Sequence, residues 1–538
     1  MANLAALTSG EPYVLAPLYA GVPSSTPAFQ AELYYSRRTA VPAYSFVHRA
    51  TNQVFRMSDR LAAATIEAEL TGRGLLSGGS SYGNMFRGGA SVSRFSIASL
   101  GWGDLLRASR PRALPTVILT SSLDVARTLA LSVVELAQGV PELVHAVRSG
   151  APWRSELHVL QAGVGVAIVL REILATVASI DLVRGFPVIH LDLLGYDEWA
   201  HRRGPRSPEA DRALRGIDRV LGRLVGAARR SHQRHYDVWV FSDHGQEVTR
   251  PYTELHSRPV SEAVGAVLRR RGIDHQDVLD PVRGVQGQRV SMLGTRLAGV
   301  LVPGLDMRRR DRDPTRATTT ALGPLGPLGH VYLPDKLPPA ELQAIAAELV
   351  AYAAIPLVLA VADHDGAWAW TSAGRLRLPE EGATLLGEDH PYLIDAARDL
   401  VRICHHPDAG DLVISGWRLD GQLLSFSHEN GSHAGPSGPS KPAAWQRREP
   451  RPRAGPHTRS STDIAELGAH PVVLGTRGLT GWERLRPGST ASAVVRTAPG
   501  SCLVACIDRG VSGPARWPLH RPAGLIPEPG AGWRCRAW

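Results

Sequence analysis

The 538-residue sequence predicts an α/β fold, a mostly parallel sheet sandwiched by helices, and three observations predict it. Between Phe186 and Glu247, two short apolar runs (Val188 to Leu194 and Tyr236 to Phe241) flank a segment whose apolar residues recur at helical spacing. Further on, Gly329 to Leu333 reads as a strand, Pro338 to Tyr352 as a helix and Ile355 to Ala362 as another buried strand. Strand and helix in alternation is what an α/β architecture requires. The composition, 43% apolar and 20% charged, is that of an ordinary globular protein, and the length suits one large α/β domain or two to three smaller ones.

In chain order, the first informative stretch is Tyr19 to Tyr35. Pro23-Ser24-Ser25-Thr26-Pro27 reads as a turn carrying three hydroxyls, and the residues after it start a helix with Pro27 in its first turn. Hydroxyls at a helix N-terminus are well placed to meet a phosphate. Thr71 to Ala90 is a Gly/Ser-rich loop without the G-x-x-x-x-G-K-[ST] pattern of a P-loop, and reads as a flexible loop. Residues 104–184 are largely helical by pattern and predict helices packed on the sheet or a cap over it. The most apolar window, Leu157 to Val177, is interrupted by Arg171 and Glu172, so it reads as a buried helix and not as a membrane span.

The stretch from Phe186 to Glu247 organises the chain. Its first strand leads into a loop presenting Asp197 and His201. A helix follows over Pro208 to Arg229, with Ser207 as its N-cap and Ala213, Ile217, Val220, Leu221, Leu224 and Val225 on its apolar side. The second strand ends directly in Ser242-Asp243-His244-Gly245. Two consecutive strands joined by a helix are expected to be parallel, so both acidic loops emerge at one carboxyl edge, where open α/β sheets place their sites. Carboxylate and imidazole suit zinc, and paired metals clamp both oxygens of a phosphoryl transfer. Two Asp/His pairs at one edge therefore predict a two-metal centre.

These residues carry a resemblance. DEWAHRRGP (Asp197 to Pro205) resembles the D-x-x-G-H-x-x-G-P element of the alkaline phosphatase superfamily, and SDHGQ (Ser242 to Gln246) resembles its S-D-H-G element. The branch is that of the type I phosphodiesterases and nucleotide pyrophosphatases. The resemblance implies an alkaline-phosphatase-like core and hydrolysis of phosphate esters through a Thr nucleophile and two divalent metals, zinc by default. It implies Thr26 as the nucleophile, with Ser25 as second choice, and Asn84 as a donor to a phosphate oxygen. Gly431-Ser432-His433-Ala434-Gly435 resembles the family's last motif, which puts His433 with Asp197 and His201 on one metal, His428 being the competitor. Asp243, His244 and the Thr26 oxygen then hold the other. Thr26 attacks phosphorus in line, and water hydrolyses the phosphorylated enzyme.

The sequence departs from the family in two places. Family members carry an N-terminal strand ending in a metal-ligating Asp; here Glu11 is the only acidic residue ahead of Thr26 and no Asp precedes Asp59, so the first strand is expected to be missing. From Lys441 onward the chain holds fourteen Arg against six acidic residues and many Pro, Gly and Trp. The expected organisation is a catalytic domain over residues 1–440 and an atypical Arg/Pro/Gly-rich tail over 441–538.

The formal charge of +10 would suit nucleic acid or an anionic surface. Only Lys336 and Lys441 are lysines and the arginines are spread along the chain, so no nucleic-acid partner is expected and the partner is a small phosphate ester or nucleotide. Four cysteines make no zinc-finger spacing or disulfide framework. The opening MANLAALTSGEPYV lacks the basic and apolar regions of a signal peptide, which points to a cytoplasmic location. Two alternatives stay open: a catalytically impaired or truncated member of the same fold lacking one metal ligand, and a basic protein that binds anions or nucleic acid.

Overall fold

In the computed structural model of the chain, helix and strand alternate in a first layer built on one five-stranded sheet. The structure describes residues 18–99, 165–273, 326–419 and 423–436, with short pieces at 2–4, 14–15, 321–322, 459–460, 473–474 and 502–508 and scattered helical residues between 126 and 148. In chain order the elements of this first layer are α1 (Thr26–Tyr35), β1 (Ser80–Tyr82), β2 (Val92–Arg94), α2 (Arg171–Arg184), β3 (Val188–Leu193), α3 (Tyr196–Arg203), α4 (Pro208–Arg229) and β4 (Tyr236–Ser242). Strand β1 runs parallel to both β2 and β3. Between β3 and β4 lies Cys502–Asp508, antiparallel to each. Strands β3 and β4 therefore point the same way, and their carboxyl ends share one edge.

Alternation along β3 and β4 assigns their faces. Ile189, Leu191 and Leu193, with Val238 and Val240, pack against Leu174, Ala178 and Leu182 of α2 and Ile217, Leu221 and Leu224 of α4. Val188, Trp239 and Phe241 face the other way, onto Phe29 and Leu33 of α1. Side chains two apart share a face, so each strand feeds both cores, which is why these runs read as continuously apolar. Helix α4 has the bounds expected of it, and the Ser207 hydroxyl accepts from Ala210 N–H at 3.2 Å as its cap.

The remainder forms a second layer: β5 (Glu247–Pro251), α5 (Val260–Arg270), β6 (Ala321–Leu322), β7 (Leu328–Tyr332), α6 (Pro339–Tyr352), β8 (Leu357–Asp363), β9 (Gly366–Thr371), β10 (Gly374–Leu378), α7 (Leu393–Cys404), β11 (Leu412–Ser415), β12 (Leu423–Ser425) and β13 (Gly431–Ser432). Six of these strands make a sheet in the order β6-β7-β11-β8-β9-β10. All its pairings are antiparallel, against the expectation of a mostly parallel arrangement. For β8, β9 and β10 the cause is local: short turns join them, which permit only antiparallel neighbours. Helices α5 and α6 cover one face and α7 the other, so the second sheet too is sandwiched by helices. A small sheet, β12-β5-β13, carries the chain from the end of β4 to the loop that bears His433.

Two expectations are corrected. Asp197 and His201 stand on a short helix, α3, and not in a loop; Gly195, at φ 119°, turns the chain into it and Glu198 accepts from Gly195 N–H at 2.7 Å. The stretch Thr71 to Ala90 is not a free loop: it contributes β1 to the sheet, and a Cβ on Gly74 would lie 2.2 Å from the Gly88 carbonyl oxygen. In the region from Lys441 onward, Arg459–Ser460, Val473–Leu474 and Cys502–Asp508 pair with strands of the rest of the chain. Most of residues 104–164 and the Arg-rich run Met307 to Arg316 lie outside the described residues. Among the described residues no helix is long and apolar enough to cross a membrane.

Candidate metal and phosphoryl-transfer site

Four separate segments meet at the carboxyl ends of β3 and β4. Helix α3 places Asp197 and His201 one turn apart on one face, both buried, with Asp197 Oδ1 3.3 Å from His201 Nε2. The loop after β13 brings His433, whose Nε2 lies 3.8 Å from the same oxygen. Ligand atoms of Asp197, His201 and His433 all fall within 4.8 Å of one another. His433 donates Nδ1–H to the Ser24 carbonyl at 2.6 Å, which leaves its Nε2 as a lone pair facing Asp197. His428 is exposed and stands apart from this group.

The second pair follows β4. His244 Nδ1–H is 3.0 Å from the Gly245 carbonyl, so Nε2 is the acceptor nitrogen, and Thr26 Oγ1 lies 3.2 Å from it. Thr26 opens α1, and Ser25 before it is extended and makes no side-chain cap bond. Asp243 is fully buried, and neither carboxylate oxygen has a hydrogen-bond partner; Oδ2 is 3.5 Å from His244 Nε2. The His244 and His433 rings stack at 3.7 Å, joining the two pairs into one cluster. Thr26, Asp197, His201 and His433 line a single cleft with Tyr44 and Leu328.

Charge in this cluster is strongly coupled. Burial penalises the Asp197 carboxylate, but His201 beside it holds the group well below its usual range. Burial likewise pulls His201 down, yet Asp197 and Glu429 push it up to about 10. Asp243 has His244 as its neighbouring base, and burial holds its carboxyl above the usual range. A buried carboxylate without donors is costly to keep unless a cation completes it. The donor set is carboxylate oxygen and imidazole nitrogen, which suits zinc and similar divalent ions. On these observations the residues present fit a metal.

The structure brings Thr26, Asp197, His201, Asp243, His244 and His433 together. The Asn84 side chain is fully buried, donates to Ser81 Oγ at 2.8 Å and the His190 carbonyl at 3.2 Å, and accepts from Gln30 at 3.2 Å. Its amide braces α1 against β3. Two residues in the site were not singled out from sequence. Gln246 donates to Asp197 Oδ1 at 2.6 Å, and Glu429 lies 3.2 Å from His201 Nδ1. Their signal was proximity: Gln246 is two residues past His244, and Glu429 four before His433.

The chain matches the family described as type I phosphodiesterase / nucleotide pyrophosphatase over residues 3–365, and it belongs to that family. These are metal-dependent phosphoric ester hydrolases, and the matched span includes Thr26, both residues of α3 and the Asp243-His244 pair. Comparison with curated proteins and with solved structures found no match.

Proposed function

We propose that this chain hydrolyses phosphate esters, of the monoester, diester or nucleotide type, with Thr26 as nucleophile. Two divalent metals, zinc by default, would be held by Asp197, His201 and His433 on one side and by Asp243, His244 and Thr26 on the other. The observation that carries this reading is the Thr26 hydroxyl against His244 Nε2, beside a buried carboxylate with no donor of its own. Bound metals would supply positive charge that stabilises the Thr26 alkoxide and the phosphoryl oxygens.

The chain's own groups do the rest. Main-chain contacts at Ser24 and the start of α1 hold Thr26 Oγ1 at the cleft. Oγ1 gives up its proton to water and attacks phosphorus; the bond from phosphorus to the leaving oxygen breaks, and that oxygen takes a proton from water. Water then attacks the phosphothreonine, and the Thr26 oxygen leaves and recovers a proton. Tyr44 and Leu328 give the cleft an apolar wall for the rest of the ester. The test is hydrolysis of bis(p-nitrophenyl) phosphate before chelation, after it, and after zinc is restored. Loss and recovery are expected; activity that survives complete chelation would reject the reading.

One observation favours a second reading, an impaired member of the family with one competent metal. Among the described residues, the three-ligand group is Asp197, His201 and His433 alone. Zinc content by plasma mass spectrometry separates the two, two equivalents supporting the first and one the second.

A further inference from the structure

We propose that Glu429 is a positioning residue that aims His201 at the metal and ties it to the loop carrying His433. The inference rests on the reading of Asp197, His201 and His433 as ligands and adds a residue that reading does not contain. Glu429 is buried, and its Oε2 lies 3.2 Å from His201 Nδ1. Opposite it, His201 Nε2 faces Asp197 Oδ1 at 3.3 Å. An imidazole that gives Nδ1–H to a carboxylate presents Nε2 as a lone pair, and the carboxylate makes that nitrogen a better donor.

The same carboxylate reaches the other ligand segment. Ser432, next to His433, donates to Glu429 Oε2 at 3.2 Å. A main-chain bond locks the two segments further, Asn430 N–H donating to the His201 carbonyl at 2.9 Å, and the Thr249 hydroxyl of β5 donates to the Glu429 carbonyl at 2.9 Å. One buried glutamate thus sets the ring orientation of a ligand on α3 and the path of the loop that delivers its partner. Coordination needs both at once. Without Glu429, His201 keeps its place on α3 but is free to rotate or to present the other nitrogen.

The test compares the full-length wild type with Glu429→Ala and Glu429→Gln, after chelation, by zinc titration against a competing chromophoric chelator. Site identity is fixed by Asp197→Ala. Glu429→Ala is expected to weaken zinc binding by about 10–100-fold, the usual effect of removing such a partner, with Glu429→Gln in between because its amide oxygen still accepts the Nδ1–H. Cobalt(II) loaded in place of zinc adds a readout that general stability does not move: its visible bands are expected to shift in the folded Glu429→Gln protein. Wild-type affinity and an unshifted cobalt spectrum in Glu429→Gln overturn the proposal alone, whether or not the alanine variant folds. A wild type that takes up no zinc through Asp197 overturns the metal reading, and this proposal with it.

Discussion

Thr26 Oγ1 and His244 Nε2 lie 3.2 Å apart although 218 residues separate them in the chain. This contact joins the N-terminus of α1 to the loop after β4 and sets the Thr26 hydroxyl beside the Asp243-His244 pair. Thr26→Ala is expected to lower kcat by at least about 1,000-fold, since the proposed nucleophile is removed outright, while Thr26→Ser keeps part of the rate. Steady-state kinetics with matched circular dichroism spectra checks it. A Thr26→Ala enzyme within tenfold of wild type would exclude Thr26 from the chemistry.

Asp243 should show a conflict between stability and function. Its buried carboxylate has no hydrogen-bond donor, so in chelated protein it opposes folding. Asp243→Asn removes the charge with little change in shape, and is expected to stabilise the chelated protein by roughly 1–3 kcal/mol while turnover is lost. Urea denaturation in the presence of chelator measures the first part. Destabilisation there would mean that Asp243 has a structural partner in the folded protein.

Gly431 fits where no other residue does. A Cβ at this position would meet the Ala200 carbonyl oxygen at 2.3 Å and Pro205 Cδ at 2.9 Å. Gly431→Ala must push β13 away from α3, moving His433 relative to His201. The expected cost is about 1–3 kcal/mol of stability together with weaker zinc binding. Wild-type zinc affinity in this variant would show that the spacing of α3 and the His433 loop is not critical.

His190, in the middle of β3, gives a pH dependence of known sign. It is fully enclosed, bonded to the Tyr34 hydroxyl through Nδ1 and stacked on Phe241, and burial lowers its pKa from 6.5 to about 3. Unfolded, it takes up a proton near pH 6.5; folded, it resists until about 3. Its stabilising contribution is therefore complete above pH 6.5 and is lost as pH falls toward 3. His330, lowered to about 4, acts in the same direction. His201 acts in the opposite sense, and its contribution changes above pH 6.5. Denaturation of wild type and His190→Gln at pH 7 and 5 isolates the first term: the wild type should lose up to about 1.4 kcal/mol more per pH unit. Equal slopes would place a proton acceptor or water at His190.

Most of this site was legible because its chemistry is local in sequence. Asp197 with His201, and Asp243 with His244, each sit within a few residues of a strand end, and the α4 pattern between them fixes the two strands in one direction. Helix α3 was not legible: eight residues with three arginine or histidine side chains in the last turn show no apolar stripe, and tertiary contacts of Tyr196 and Trp199 decide its form. The antiparallel second sheet was hidden because buried strands look alike whichever way their neighbours run. The hydrogen bonds of Asn84 were not legible, because one of its acceptors, the His190 carbonyl, lies on another element. Glu429 and Gln246 were not legible because what marks them is distance to a histidine or an aspartate on another element.

The central claim is that phosphorus passes through Thr26. The most direct measurement is an acid quench of zinc-loaded enzyme during turnover of a phosphate ester, followed by peptide mapping in a mass spectrometer. Phosphate on the peptide that begins the α1 helix, located to Thr26 and absent from Thr26→Ala, is the predicted result. Steady turnover with a phosphate on Ser25, or on no residue of that peptide, would contradict it.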